Sequence, residues 1–169
     1  MASSLYIIVL LCLTSGMGAE ASAKCTKPGH CCEKCPAGWT EFDSRCFMFH
    51  FAAMDWSDAE KTCIELGGNL ASIQTAEDYN ALREMVNRAT GTDRHTWLGG
   101  YDAVKEGAWK WSDGSKFEFS GWFKGEPNNA RGLEHCMEMN YNGREYVNDM
   151  KCSVKRSFIC AKDTISEPQ

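Results

Sequence analysis

Glu126-Pro127-Asn128-Asn129-Ala130-Arg131-Gly132-Leu133-Glu134-His135-Cys136, followed by Asn148-Asp149, is the stretch that decides how this chain is read. Within about two dozen residues, Glu126, Glu134 and Asp149 supply three carboxylates, and Asn128 and Asn148 supply two carboxamides. Each of these side chains offers a hard oxygen, the donor type that suits Ca²⁺ rather than a transition metal. A carboxamide beside a carboxylate also donates and accepts hydrogen bonds at one point in space. A cation-anchored sugar hydroxyl needs that combination. Polar residues near Gly are ordinary turn formers too, and Asn128-Asn129 alone would be read as a turn. The five side chains together raise the pattern above that.

The surrounding chain sets the context. Its 169 residues fit one domain, and 43% hydrophobic content is enough for a core. Leu5-Tyr6-Ile7-Ile8-Val9-Leu10-Leu11-Cys12-Leu13 is apolar but too short to span a bilayer, and small residues follow from Ser15 and Gly18 to Ala21-Ser22-Ala23. This is a secretory signal peptide over residues 1–18, with cleavage between Gly18 and Ala23. The positive flank of a retained anchor is missing. No later segment is expected to span a membrane, so the mature protein is expected to be secreted and extracellular.

Cysteine usage points the same way. Of ten cysteines, Cys12 leaves with the signal, and nine remain in an oxidising compartment where disulfides are the default. Zinc is the competing use, but the pair Cys32 and Cys35 faces no second pair at finger spacing. Nine is odd, so at least one thiol is free or bridges two chains. With 18 basic and 23 acidic residues the formal net charge is −5, and neither sign forms a long block. That balance argues against a nucleic-acid partner. The basic cluster from Lys151 to Arg156 is expected to be a solvated edge, and no N-x-S/T site for N-glycosylation occurs.

Local signals give the organisation. Residues 24–34 form a cysteine-rich tail broken at Pro28-Gly29. Alternation of Phe47, Phe49 and Phe51 with Met48 and His50 predicts a strand from Arg45 to Phe51. Ser57-Asp58-Ala59-Glu60 is a capping box, opening a helix that runs to Leu66 and stops at Gly67-Gly68. Thr75-Ala76-Glu77-Asp78 is a second one; its helix carries Tyr79, Leu82 and Val86 on one face and ends near Gly91. After Trp97 only short apolar pieces follow (Trp97-Leu98, Ala108 to Trp111, Cys136 to Met139, Tyr146-Val147, Phe158-Ile159), divided by Gly, Asn and Asp. The pattern is α+β: two early helices, then antiparallel strands. The region Asp113 to Leu133 has little regular structure of its own, and ordered loops of that length are usually functional.

Taken in order, Cys35-Pro36-Ala37-Gly38-Trp39, Cys46-Phe47, Trp56 to Cys63, Trp97-Leu98-Gly99-Gly100, Glu126-Pro127-Asn128, Cys136, Asn148-Asp149, Cys152 and Cys160 resemble the C-type lectin domain. The resemblance covers residues 35–162, leaving 163–169 as a C-terminal tail. Its compact form with a cysteine-rich tail is similar to the small secreted fish lectins related to type II antifreeze proteins. It implies a fold with two helices, antiparallel sheets and a long calcium-binding loop, stapled by Cys35–Cys46, Cys63–Cys160 and Cys136–Cys152. Each such disulfide would stabilise by roughly 2–4 kcal/mol. Cys25, Cys31 and Cys32 are left over. An intrachain pair plus one interchain bridge would give a disulfide-linked homo-oligomer, the alternative being a thiol capped by a small molecule.

The resemblance assigns a sugar-carrying Ca²⁺ to Glu126, Asn128, Glu134, Asn148 and Asp149, with Pro127 expected in cis. In the family, Glu-Pro-Asn goes with equatorial 3- and 4-hydroxyls (mannose, N-acetylglucosamine, fucose, glucose), and Gln-Pro-Asp with galactose. The implied activity is mannose-type glycan binding in innate defence against microbes. Two departures stand out. Val147 replaces the usual Trp before Asn-Asp. Asp102, Glu106 and Glu134 match a possible second calcium site, but Asn129 and His135 stand where that site usually has Asp. His135 could also lend pH sensitivity. A non-sugar binding module, ice-binding or protein-binding, is the alternative. Catalysis is not expected: there is no H-E-x-x-H and no G-x-S-x-G, and Glu126 and Glu134 are needed as anionic ligands.

Overall fold

The computed structural model describes residues 35–141 and 147–164. The expected signal peptide, the tail with Cys25, Cys31 and Cys32, Tyr146, and all but the start of the C-terminal tail lie outside the described residues. Strand β1 (Thr40–Phe42) turns into β2 (Arg45–Met54) through Asp43 and Ser44. Both turn residues have positive φ, 45° and 63°, as a two-residue hairpin loop demands. β2 runs past the predicted Phe51, which is 60% exposed and lies under the Arg94 guanidinium.

Helix α1 (Trp56–Glu65) begins two residues earlier than its sequence signal. Asp55, not Ser57, is the N-cap and accepts from the Asp58 amide at 3.0 Å. Glu60 takes no part in capping: its carboxylate accepts from Leu70 N at 2.8 Å and from the Ser112 hydroxyl at 2.9 Å. Tertiary donors outcompete the local ones. Strand β3 (Asn69–Leu70) follows. Helix α2 (Ala76–Thr90) keeps its expected ends, with the Thr75/Asp78 capping box in place and Gly91 closing it at φ 72°. Tyr79, Leu82 and Val86 are buried.

The remaining strands are β4 (Thr96–Tyr101), β5 (Lys110–Trp111), β6 (Cys136–Met139), β7 (Asn148–Met150) and β8 (Arg156–Asp163). Their order in one sheet is β1-β2-β8-β4-β6-β7, with β3 also on β8 and β5 on β4. The pairings are antiparallel except β4 with β8, where Thr96 faces Ser157 and Trp97 faces Phe158 in parallel. The antiparallel strands expected from the sequence thus form a mixed sheet with one parallel pairing. β4 and β8 are distant in sequence, so no hairpin fixes their relative direction.

The core has two parts. One gathers Phe47, Leu98, Trp111, Met137, Val147 and Ile159; the other gathers Leu70, Trp97 and Phe158 around the Cys63–Cys160 disulfide. Cys35–Cys46 and Cys136–Cys152 are also bonded. Beneath the long loop lies an aromatic cluster: Trp109 and Trp122 have ring centroids 4.7 Å apart, and Trp111 and Phe117 4.9 Å. Apolar packing therefore supports a loop that has almost no secondary structure. Among the described residues no helix is long and apolar enough to cross a membrane.

Candidate metal and ligand site in the long loop

The loop is tied to the sheet through Asp149. This residue is 1% exposed on β7, and its two oxygens accept from Asn128 N at 3.1 Å and Asn129 N at 2.7 Å. The Glu126-Pro127 peptide is cis, and Glu126 Oε2 accepts from the same Asn128 amide at 3.1 Å. Glu134 closes the other side, its Oε2 accepting from Ala130 N at 3.2 Å. Asn129 sits at φ 42°, and Gly125 and Gly132 at 98° and 68°. The chain thus reverses tightly enough for Glu126 and Asp149 to share the Asn128 amide and for Glu134 to reach Ala130 N two residues further on. Trp122 and Val147 form a bridge beside them, so the smaller Val147 remains fully buried.

Electrostatics marks the cluster. Glu126 is pushed up to about 7, first by burial and then by a hydrogen bond to Asp149 and that residue's like charge. Glu134 is also raised, mainly by burial, with the charges of Asp149 and Glu138 adding to it. None of Glu126, Glu134 and Asp149 forms an ion pair with a described residue. Lys151 offsets part of the Glu134 shift, but the like charge of Asp149 on both Glu126 and Glu134 favours a cation that joins them. The all-oxygen donor set beside Asn128 and Asn148 fits Ca²⁺.

Asn148 enters the site through a residue that sequence reasoning missed. Its Nδ2 donates to Glu138 Oε1 at 3.2 Å, and Glu138 is fully buried on β6. Arg156 Nε donates to Glu138 Oε2 at 2.7 Å, and His95 Nδ1 lies 3.1 Å from Oε1. Burial alone would push the Glu138 carboxyl up. Hydrogen bonds and opposite charge from His95 and Arg156 outweigh it and hold it below the ordinary value. Arg156 is therefore not part of a solvated edge. The available signal was a charge inside Cys136-Met137-Glu138-Met139, an apolar strand run where an acid must find partners.

A second cluster adjoins the first. Asp102 Oδ1 is 3.0 Å from His135 Nδ1, and Glu106 Oε2 is 3.5 Å from the same nitrogen. Asn129 links the two clusters: its side-chain amide donates to Glu106, while its Oδ1 accepts from Glu134 N at 3.0 Å. Of the residues matched to a second calcium, Asp102 and Glu106 therefore meet His135, and the Glu134 carboxylate turns to Ala130. A separate cleft of 340 Å³, lined by Gln74, Thr75, Tyr79 and Phe119 among others, includes none of these residues.

The model for "Lectin C-type domain" matches residues 52–162. The chain is 47% identical over 157 residues to the galactose-specific lectin nattectin of Thalassophryne nattereri, covering 93% of this chain and 94% of that protein. Ladderlectin of Oncorhynchus mykiss is 46% identical over 119 residues, which cover 70% of this chain and 63% of ladderlectin. Among solved structures, herring type II antifreeze protein superposes with a TM-score of 0.72 at 31% identity, covering 78% of this chain and 100% of that one. With the sheet, both helices and three disulfides in place, the chain belongs to the C-type lectin domain family.

Proposed function

We propose that the protein is a secreted, Ca²⁺-dependent lectin of mannose-type specificity, which binds glycans through the Glu126-Pro127-Asn128 loop. The observation that carries the reading is the convergence of the Glu126 and Asp149 carboxylates on the Asn128 amide, with Glu134 held on Ala130 N of the same turn. Glu126, Asn128, Glu134, Asn148 and Asp149 would hold the ion. When bound, Ca²⁺ supplies coordination positions for two vicinal sugar hydroxyls. Glu126 and Glu134 accept the hydroxyl protons, and the amides of Asn128 and Asn148 donate to the hydroxyl oxygens. Each hydroxyl then has an acceptor and a donor besides the metal, and a sugar of the wrong geometry leaves polar groups unpaired.

Three disulfides support an oxidising, extracellular setting. An open site binds single sugars weakly, so recognition of microbial surfaces would rest on several copies, for which Cys25, Cys31 and Cys32 offer a covalent link. No catalysis is assigned, because each carboxylate of the cluster is used as an anionic ligand.

The test is retention on mannose- and galactose-agarose in calcium, followed by EDTA. Retention on mannose with release by EDTA is expected. Galactose preference, as in the name of nattectin, would overturn the specificity alone. Calcium-independent retention, or none on either resin, would overturn the lectin reading. The similarity to an antifreeze structure favours a second reading, a non-sugar surface such as ice. Thermal hysteresis without retention on either resin would support it.

A further inference from the structure

Asp102, Glu106 and His135 each direct one ligand atom to a common point, all within 4.8 Å of one another. We propose that these three side chains form a binding site for a first-row transition metal of the Zn²⁺ class, and not a second calcium. The inference holds whether or not the neighbouring loop binds sugar. Imidazole nitrogen with two carboxylates is a donor set for Zn²⁺, with water at a fourth position. Metal–ligand distances near 2.1 Å imply donor–donor edges of about 3 to 3.4 Å. Nδ1 to Asp102 is 3.0 Å and Nδ1 to Glu106 is 3.5 Å, so little movement is needed.

The supports are rigid. Asp102 is 2% exposed, and its Oδ2 accepts from Gly107 N at 2.8 Å, which leaves Oδ1 for the site. A backbone hydrogen bond from Asp102 N to His135 O, 3.1 Å, fixes the two residues to each other. Such outer contacts orient metal ligands. Calcium is disfavoured by a separate observation. Asn129 turns its Oδ1 to the Glu134 amide and its N–H group to Glu106, so its donor end and not its oxygen faces this cluster. Two carboxylates fall well short of the six to eight oxygens that Ca²⁺ takes.

The experiment uses the full secreted chain, with any free thiol alkylated and the sugar site held in excess calcium. Co²⁺ is added and followed by its visible absorption, then displaced with Zn²⁺. One equivalent of each is expected. His135→Ala should weaken binding by at least the roughly 10–100-fold that loss of an outer contact costs. Glu106→Gln, at an exposed position that does not endanger folding, should weaken it in the same direction. His135→Asp should lose Zn²⁺ and gain a second calcium. Absence of the Co²⁺ spectrum, or a stoichiometry unchanged in both His135→Ala and Glu106→Gln, would overturn the proposal.

Discussion

Asn148 donates its side-chain amide to Glu138 across directly paired positions of β7 and β6, at 3.2 Å. The amide end is thereby fixed on a buried carboxylate, and the carbonyl end is left for the loop. Glu138 is in turn held by Arg156. Glu138→Gln keeps the volume but leaves Arg156 without its charge partner. The expected cost is about 1–3 kcal/mol, below the figure for a fully buried pair because Arg156 is 26% exposed. Calcium affinity should fall about 10–100-fold. Thermal unfolding in EDTA reads the first effect and calcium titration the second. An unchanged calcium midpoint would mean that Glu138 does not position Asn148.

That network shows where sequence reading stops. α2 was legible at both ends because Thr75, Asp78 and Gly91 act within a turn of their own backbone. The start of α1 was not, because Asp55 and Ser57 are both competent caps and Glu60 is drawn to Leu70 and Ser112, partners that only the fold supplies. The candidate ligands Glu126, Asn128, Glu134, Asn148 and Asp149 follow from their match to a family order, which carries no information on the contacts that orient them. The burial of Glu138, its pairing with Arg156 and the parallel β4–β8 contact depend on chain segments far apart in sequence. No local pattern encodes them.

Acid should weaken calcium binding from near neutral pH downward. The Glu126 carboxyl of the ion-free fold sits at about 7, above its ordinary 4.5. Between those values the ion-free folded protein keeps a proton that the unfolded chain has lost, so its stability rises as pH falls through that window. Calcium needs the deprotonated form. The gain in melting temperature on adding calcium should therefore be full above pH 7 and shrink steadily toward pH 5. A gain independent of pH would show that Glu126 does not bind the ion.

Gly99 in β4 tests the packing that carries the site. A Cβ there would lie 2.5 Å from the backbone oxygen of Leu70 and 2.8 Å from Ser112 Oγ. The Leu70 oxygen cannot swing aside, because β3 is paired with β8. Gly99→Ala is expected to destabilise by about 1–3 kcal/mol, as overpacked cores do. Urea unfolding measures it; a loss under about 0.5 kcal/mol would mean that β3 yields.

Exchanging the acid and amide of the loop isolates its role in sugar choice. Glu126→Gln with Asn128→Asp conserves the number of charges and the size of both side chains, but reverses which position accepts and which donates. The Asn128 backbone amide, which binds Asp149, is untouched, so the loop should keep its path. Preference on the two resins is expected to move from mannose to galactose, with EDTA still releasing both. One hydrogen-bonding pattern exchanged for another is worth about tenfold per 1.4 kcal/mol, so a change of one to two hydrogen bonds should give roughly a ten- to hundredfold swing. Equal mannose retention by the double variant would show that the loop holds the ion without reading the sugar.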